Sequence, residues 1–418
     1  MEVVTRPGAE PAPQVALSSV AAPRFTTRDE SSPRVLVLAD RVAAALPACR
    51  ALARSGHVVG AAASTRTAPV LASRAVAYRH VFPDRRAPQE AWSSALRAAV
   101  SQCGYDVVLA CSDIDVVRLL ETELSIASVP SMTAEQAVIL DKGALAKVCA
   151  DVGVAYPDTY VPDTPSNDAV VAAAVPGEAV VKAARPAALT SQGVVHVAGM
   201  SAASDSSAVM SAMARFRAAG LRPIVQQHVD GQKLQVAIIR RAGVTSCRLV
   251  ALVERGPAEV TLRQLDSSAG LGGDCIAALE RVADRAGYEG VLQAEFLATA
   301  SVGVCLLDLN PRLWGGLSFA ELTGLRMTER AVNDAVGIPS PPMPAEAVDR
   351  RYHHAARELA YLRRSPRELQ SFVSQWFRGG VWDVPPLSDL RPHGLQFWQQ
   401  VSTRWRLARS RSSLGAGC

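Results

Sequence analysis

The stretch Leu292–Gly316, LQAEFLATASVGVCLLDLNPRLWGG, carries Glu295, Asp308, Asn310 and Arg312 close together. Its apolar runs, Leu292–Leu297 and Val304–Leu309, have strand length and are separated by small residues and a glycine, which is the pattern of a β-hairpin. With the turn centred on Ser301 and Val302, Glu295 faces Asp308 across the two strands. Asn310 then lies two residues further along on the same face. Two opposed carboxylates repel each other. A divalent cation between them removes the conflict, and oxygen ligands from Asp, Glu and Asn suit Mg²⁺ or Mn²⁺. For the hairpin alone, a solvated sheet face with ordinary surface acids is the plainer alternative.

The chain has 418 residues, more than one hydrophobic core usually accommodates, so two or three domains are expected. With 49% hydrophobic and 20% charged residues, the composition is that of a soluble globular protein. No apolar run reaches the ~18 residues of a membrane span. The N-terminal MEVVTRPGAEPAPQ lacks the basic-then-apolar plan of a secretory signal, so the expected location is the cytoplasm. Eight cysteines are scattered without a CxxC pair, which suggests neither a disulfide framework nor a zinc cluster. The net charge of +5 is concentrated in the final residues, where Arg404, Arg406, Arg409 and Arg411 have no acidic counterpart. A near-neutral body with a basic tail is not the footprint of a nucleic-acid-binding domain.

Upstream of the hairpin, residues 1–32 are rich in Pro, Ala, Ser and Thr and read as disordered. Arg34–Ala39, Arg41–Ser55 and His57–Ala63 read as strand, helix and strand, a parallel βαβ unit. Ala91–Gln102 and Tyr105–Cys111 add a helix and a strand, so residues 33–128 are expected to form a Rossmann-like layer. After its first strand this layer has no G-x-G-x-x-G, and NAD binding is not supported. Ser112 and Asp113, at a strand end, either line a ligand crevice or cap a helix.

Ser131–Val152 reads as helical, with Thr133 a candidate cap and Asp141-Lys142 within it. Glu178–Ala183 is a strand with Lys182 in an apolar setting, where an unmatched charge is expensive. The loop Ala184–Gly193 follows. Lysine plus loop suggests a phosphate clamp; a snorkelling edge-strand lysine is the alternative. Pro223–Val229 and Leu234–Arg240 are strands joined by a turn at Asp230-Gly231. Residues 129–338 thus form a two-lobed α+β unit, divided into 129–230 and 231–338. Residues 339–403 read as an accessory extension and 404–418 as a solvated basic tail.

Taken together and in order, Asp141-Lys142 before GVAYP, VVKA with Lys182, IVQQHVDG, QAEFL and LLDLNPRLWG resemble the ATP-grasp superfamily, in its carboxylate–amine ligase-like branch. The resemblance covers roughly Tyr105–Ile338, behind what looks like that family's Rossmann-like pre-ATP-grasp domain. It implies that Lys142 and Lys182 bind ATP phosphates under the loop ending at Gly193. It further implies that backbone groups of Gln227 and Val229 read the adenine edge, and that Gln226 stands where many relatives hold the ribose with an acid. Glu295, Asp308 and Asn310 would hold Mg²⁺, and Arg312 would face the acyl phosphate or substrate carboxylate, with Arg312 and Lys182 as the catalytic pair. The loop has one glycine, Gly193, where relatives are richer, and Asp308 is shorter than their more frequent Glu. The resemblance implies ATP- and Mg²⁺-dependent joining of a small-molecule carboxylate to an amine, with release of ADP and phosphate, in a family where homodimers are common. Carboxylation through carboxyphosphate and a non-catalytic nucleotide-binding scaffold are the alternatives.

Overall fold

The computed structural model describes residues 32–399 and 402, except 85, 176, 192, 198, 256–260, 347, 363–366, 368, 371–372, 375–379 and 385. Apart from Ser32, the N-terminal segment expected to be disordered lies outside the described residues, as does the basic tail.

The first layer contains β1 (Arg34–Leu38), α1 (Val42–Arg54), β2 (Val58–Ala63), β3 (Tyr78–Val81), α2 (Gln89–Cys103), β4 (Val107–Leu109), α3 (Asp113–Leu120) and β5 (Ala127–Val129). All five strands are parallel, in the order β3-β2-β1-β4-β5. The run RVLVL is apolar throughout because both faces of β1 are covered. Val35 and Val37 pack with α1, whereas Leu36 and Leu38 pack with Trp92 and Leu96 of α2. The Rossmann-like expectation therefore holds, with β3 and β5 as strands the sequence did not announce.

The helical reading of Ser131–Val152 is broken in two. A 3₁₀ turn, Gln136–Leu140, precedes α4 (Lys142–Asp151), and Asp141 is the N-cap of α4. Thr133 does cap the earlier turn: Gln136 N donates to Thr133 Oγ1 at 3.2 Å and Thr133 N to Gln136 Oε1 at 3.0 Å. Next come β6 (Thr159–Tyr160), α5 (Asp168–Ala174), β7 (Ala179–Ala183), β8 (Ala187–Thr190), β9 (Gly193–His196), β10 (Ser201–Ala203), α6 (Ser206–Ala218) and β11 (Pro223–Gln227). Four of these strands form an antiparallel sheet, β10-β7-β11-β6. Val181 and Val225 pack with Val209, Met213 and Phe216 of α6 in a core confined to this small lobe. β8 and β9 pair with each other as a separate hairpin, so the loop expected over 184–193 contains a strand.

The large sheet is built from β12 (Gln232–Arg241), β13 (Val244–Arg255), β14 (Thr261–Leu265), β15 (Gly290–Thr299), β16 (Gly303–Asn310), β17 (Arg351–His353) and β18 (Val381–Trp382), ordered β16-β15-β12-β13-β14-β17-β18. With it go α7 (Gly270–Arg285), α8 (Leu317–Leu322), α9 (Met327–Val336) and α10 (Ala355–Leu362). One sheet face, including Leu234, Val236, Ala294 and Phe296, packs on α4 and α7. Helix α4, assigned from sequence to the first lobe, thus belongs by its packing to the large sheet. The other face contributes Ala237, Ile239 and Val291 to a core shared with β1, α1, α8 and α9. The extension is not merely accessory, since β17 pairs antiparallel with β14. Asp389 ties it back to the first layer by accepting from Arg50 Nε at 2.9 Å, Ser73 Oγ at 2.6 Å and Arg74 N at 3.0 Å.

Candidate functional site

The site begins with the register of β15 and β16. Next to the turn, Thr299 pairs with Gly303 and Phe296 with Leu306, so the turn is centred on Ser301, half a residue earlier than expected. Continued unbroken, that register would oppose Glu295 to Leu307 and turn Asp308 toward the apolar face. The ladder shifts between Glu295 and Phe296, leaving Leu307 as the extra residue of a bulge. Beyond it Glu295 faces Asp308 and Gln293 faces Asn310. β12 runs on the other side of β15 and sets Gln235 opposite Glu295 and Lys233 opposite Leu297. Lys233, Gln235, Gln293, Glu295, Asp308 and Asn310 therefore make a polar patch on the sheet face that, further along, is covered by the first layer.

The two carboxylates do not confront each other uncompensated. Lys142 Nζ lies 2.7 Å from Asp308 Oδ1, and Lys233 Nζ lies 2.9 Å from Glu295 Oε2. Asn310 Nδ2 donates to Gln293 Oε1 at 2.8 Å. Among the described residues no group of three or more His, Cys, Asp and Glu side chains is gathered as a metal site. The donors of the patch, two carboxylates and one amide oxygen, are hard ligands suited to Mg²⁺, and ammonium groups now balance both charges. Lys233 was not foreseen. Its signal is the period of two in Gln232–Gln235, which puts Lys233 and Gln235 on one face.

Lys182 projects from β7 of the small lobe toward this patch. Burial lowers its pKa first, the Asp308 charge opposes that, and the nearby Lys142 charge adds to it. Among the described residues it forms no ion pair. Lys142 is anchored at the start of α4 by its N–H, which donates to Ala184 O at 2.9 Å. Asp141 caps the helix through Gly143 N and Ala144 N, both at 3.1 Å, and also accepts from Arg222. Burial would raise the Asp141 carboxyl, but the Ala144 N–H and Arg222 outweigh it and hold it below its ordinary value.

Arg312 departs from its expected orientation. Its fork is closed on Asp113, with Nε–Oδ1 at 2.7 Å and Nη2–Oδ2 at 3.0 Å, while Nη2 also donates to Asn310 Oδ1 and Nη1 to Leu313 O. Arg312 is 4% exposed, and a planar fork used bidentately is not free to grip a second carboxylate the same way. These bonds tie the hairpin to the first layer and fix the Asn310 oxygen. Both readings of Ser112-Asp113 apply: Ser112 Oγ caps α3 by accepting from Asp115 N at 3.2 Å, and both residues line the cavity described below.

The hinge side is mixed. The Gln227 N–H donates to Asp158 O at 3.0 Å, so one of the backbone groups expected to read an adenine edge is already engaged. Val229 N–H and C=O make no backbone hydrogen bond among the described residues. The Gln226 side chain is 1% exposed, donates to Thr159 Oγ1 at 2.9 Å and leaves its buried Oε1 without a close partner, while the buried Tyr156 hydroxyl interacts with the same side chain. A buried orphan of this kind fits a ligand's polar edge. Gly193, with φ of +97°, opens β9 at the end of the β8–β9 turn. Gly231 permits close approach, since a Cβ there would lie 2.6 Å from Ala298 O.

A cavity of about 560 Å³ opens beside the Glu295–Asp308 pair, with Lys142, Lys182, Lys233 and the hinge residues outside its lining. The polar patch forms one wall, Pro186 and His196 of the small lobe another, and Arg41 with Ser112 and Asp113 the third. This third wall is where β1 and β4 diverge, the point of a parallel sheet at which ligands characteristically bind. Arg41 and Arg357 were not foreseen from the sequence.

The fold has clear counterparts among solved structures. A biotin carboxylase from Campylobacter jejuni, solved as a β,γ-ATP complex, aligns with TM-score 0.60 and 15% identity over 77% of this chain and 74% of its own. An L-amino acid ligase from Bacillus licheniformis aligns with TM-score 0.54 and 14% identity over 74% and 75%. An N5-carboxyaminoimidazole synthase from Aspergillus clavatus, in complex with ADP and 5-aminoimidazole ribonucleotide, gives TM-score 0.55 and 14% identity over 74% and 78%. The arrangement of a Rossmann-like layer followed by two lobes is thus the ATP-grasp fold anticipated from the sequence. A scan against protein-family models and a search of curated proteins return no match. No helix among the described residues is long and apolar enough to cross a membrane.

Proposed function

We propose that the chain is an ATP- and Mg²⁺-dependent ligase that activates a small-molecule carboxylate as an acyl phosphate and joins it to an amine. The observation that carries this reading is the convergence of Lys142, Lys182 and Lys233 on the Glu295–Asp308 pair at a cavity bounded by three structural units. Three ammonium groups beside two carboxylates suit a polyphosphate with its metal ion better than either partner alone. Lys142 and Lys233 would turn from the carboxylates to phosphate oxygens, freeing Glu295 and Asp308, with Asn310, as the metal's ligands. Bound there, the metal neutralises charge on the phosphoryl oxygens. The buried Gln226 Oε1 and the open Val229 backbone would fit an adenine edge in the hinge.

The chemistry needs position and positive charge rather than a protein nucleophile. A substrate carboxylate oxygen attacks the γ-phosphorus and ADP departs. The amine nitrogen then attacks the acyl carbon, loses a proton, and inorganic phosphate leaves. Lys182, carried by the small-lobe strand β7, would meet the transferred phosphoryl group. Arg312 acts as a positioning residue by holding Asn310 and Asp113.

The test is a coupled ADP-release screen of carboxylic acids against amino acids and amines, with bicarbonate included to separate a carboxylase from a ligase. The expected products are ADP and phosphate, with turnover lost in Glu295→Ala and Asp308→Ala. AMP and pyrophosphate as products would overturn the acyl-phosphate route. Uptake of Mg·ATP without turnover on any substrate would indicate a binding scaffold instead.

A further inference from the structure

The cavity contains four carboxylates, and all of them are engaged. Asp308 holds Lys142, Glu295 holds Lys233, Asp113 holds Arg312, and Asp40 Oδ1 accepts from Ser64 N and Oγ at 2.8 and 2.9 Å. Against them stand three guanidinium groups, Arg41, Arg312 and Arg357. Arg41 makes no side-chain hydrogen bond or ion pair with any described residue. It is nonetheless held in a definite place, immediately after β1, where its Nη2 would lie 3.8 Å from a Cβ on Gly315 of the loop following the hairpin. Its own burial and the adjacent Arg312 charge work against its protonated form, and the nearby Asp113 and Glu295 charges offset them only in part. A guanidinium kept beside a second guanidinium, open to the cavity and unmatched, is arranged for an incoming anion.

The geometry points to an anion subsite at the divergence of β1 and β4, in which Arg41 receives a carboxylate carried by a substrate at the end remote from the reacting bond. Arg357, from α10 of the extension, lines the same cavity. The assignment rests on the ligase reading for which end reacts, because phosphoryl transfer belongs at the Glu295–Asp308 wall and Arg41 stands on the first-layer wall. Arg312 cannot take this part while Asp113 occupies its fork. The remote carboxylate has two chemical sources: the α-carboxylate of an amino acid that reacts through its amine, or the second carboxylate of a dicarboxylic acid that reacts through its first.

The test is equilibrium binding to the full chain loaded with Mg·ADP, using matched pairs. One arm compares the standard amino acids with their C-terminal amides; the other compares succinate and glutarate with their monoamides. At least one free acid is expected to bind on the order of 10- to 100-fold more tightly than its amide, the range for one charge-assisted hydrogen-bonded contact. The arm in which this occurs identifies the source. Arg41→Gln should bring acid and amide to the same affinity, and Arg41→Lys should restore part of the difference. Mg·ADP affinity, measured in each variant, establishes that the chain is folded. Equal binding of acids and amides in both arms, or a preference that survives Arg41→Gln, overturns the subsite. ADP release is read separately: an acid preference that depends on Arg41, without turnover of any pair, would keep the subsite and remove the ligase reading.

Discussion

At the scale of single residues, the most consequential pairing is Arg312 with Asp113. Both are largely buried, so removing one partner leaves the other charge uncompensated. Asp113→Ala is expected to lower stability by about 3–5 kcal/mol, measured by urea unfolding. Burial would raise the Asp113 carboxyl, but the Arg312 charge and hydrogen bonds outweigh it and hold it below its ordinary value. A carboxyl depressed in this way stabilises the fold above its unfolded pKa and loses that contribution as pH falls through the folded one. Unfolding measured against pH should therefore show an acid limb that flattens in Asp113→Asn. Lys182 gives the opposite experiment. Burial depresses its pKa, and a bound phosphate should raise it again. Nucleotide binding at alkaline pH should then take up protons, detectable by titration calorimetry in buffers of different ionisation enthalpy, and Lys182→Met should reduce that uptake. Lys182 and Glu295 stand out in a linear reading because each interrupts an apolar run. The Arg312–Asp113 contact does not, because its partners are 199 residues apart and nothing local in either segment records the other.

At the scale of elements, the hairpin was legible and its bulge was not. Alternation along Leu292–Leu297 reveals which residues share a face. The register across two strands depends on how the turn closes and where an extra residue is absorbed. The Glu295–Asp308 pairing was anticipated from a turn placed half a residue late, and Leu307 supplies the compensating offset. β8 was hidden because ALT between ARPA and SQG has little β-branched character, and it is a strand because β9 pairs with it. α4 was obscured because Asp141 lies inside a helical-looking run but, as the N-cap, marks a new beginning. The hinge between β11 and β12 carries its own prediction. Gly231→Ala places a methyl 2.6 Å from Ala298 O and 3.0 Å from Leu297 Cβ, an overpacking expected to cost about 1–3 kcal/mol. A lower melting temperature together with weaker Mg·ATP binding would mark strain at the lobe junction; an unchanged melting temperature would show that the chain adjusts freely there.

At the scale of the whole molecule, the extension is fastened at two separate places. β17 and then β18 extend the large sheet, and Asp389 is buried against Arg50, Ser73 and Arg74 of the first layer. Burial would raise the Asp389 carboxyl, but Ser73, the Arg74 N–H and Arg50 outweigh it and hold it low. Asp389→Ala should release the end of the extension from the first layer, and limited proteolysis should then cut within residues 339–399 faster than in the parent chain. An unchanged cleavage rate would show that β17 alone secures it. Composition could not reveal this arrangement. The Pro-rich linker suggests separation, whereas β17, Asp389 and contacts such as Glu346 with Ser267 and Glu358 with Thr261 attach it.

The distribution of apolar clusters has a consequence for cooperativity. The first layer and the large sheet share one cluster, while the small lobe, with α5, α6 and its four-stranded sheet, closes its own. Amide exchange should therefore fall into two classes. Protons in β1, β12 and β15 should wait for global unfolding. Those in β7 and β11 should exchange through a lower-energy opening of the small lobe alone, and a ligand bridging Lys182 to the Glu295–Asp308 pair should merge the two classes into one.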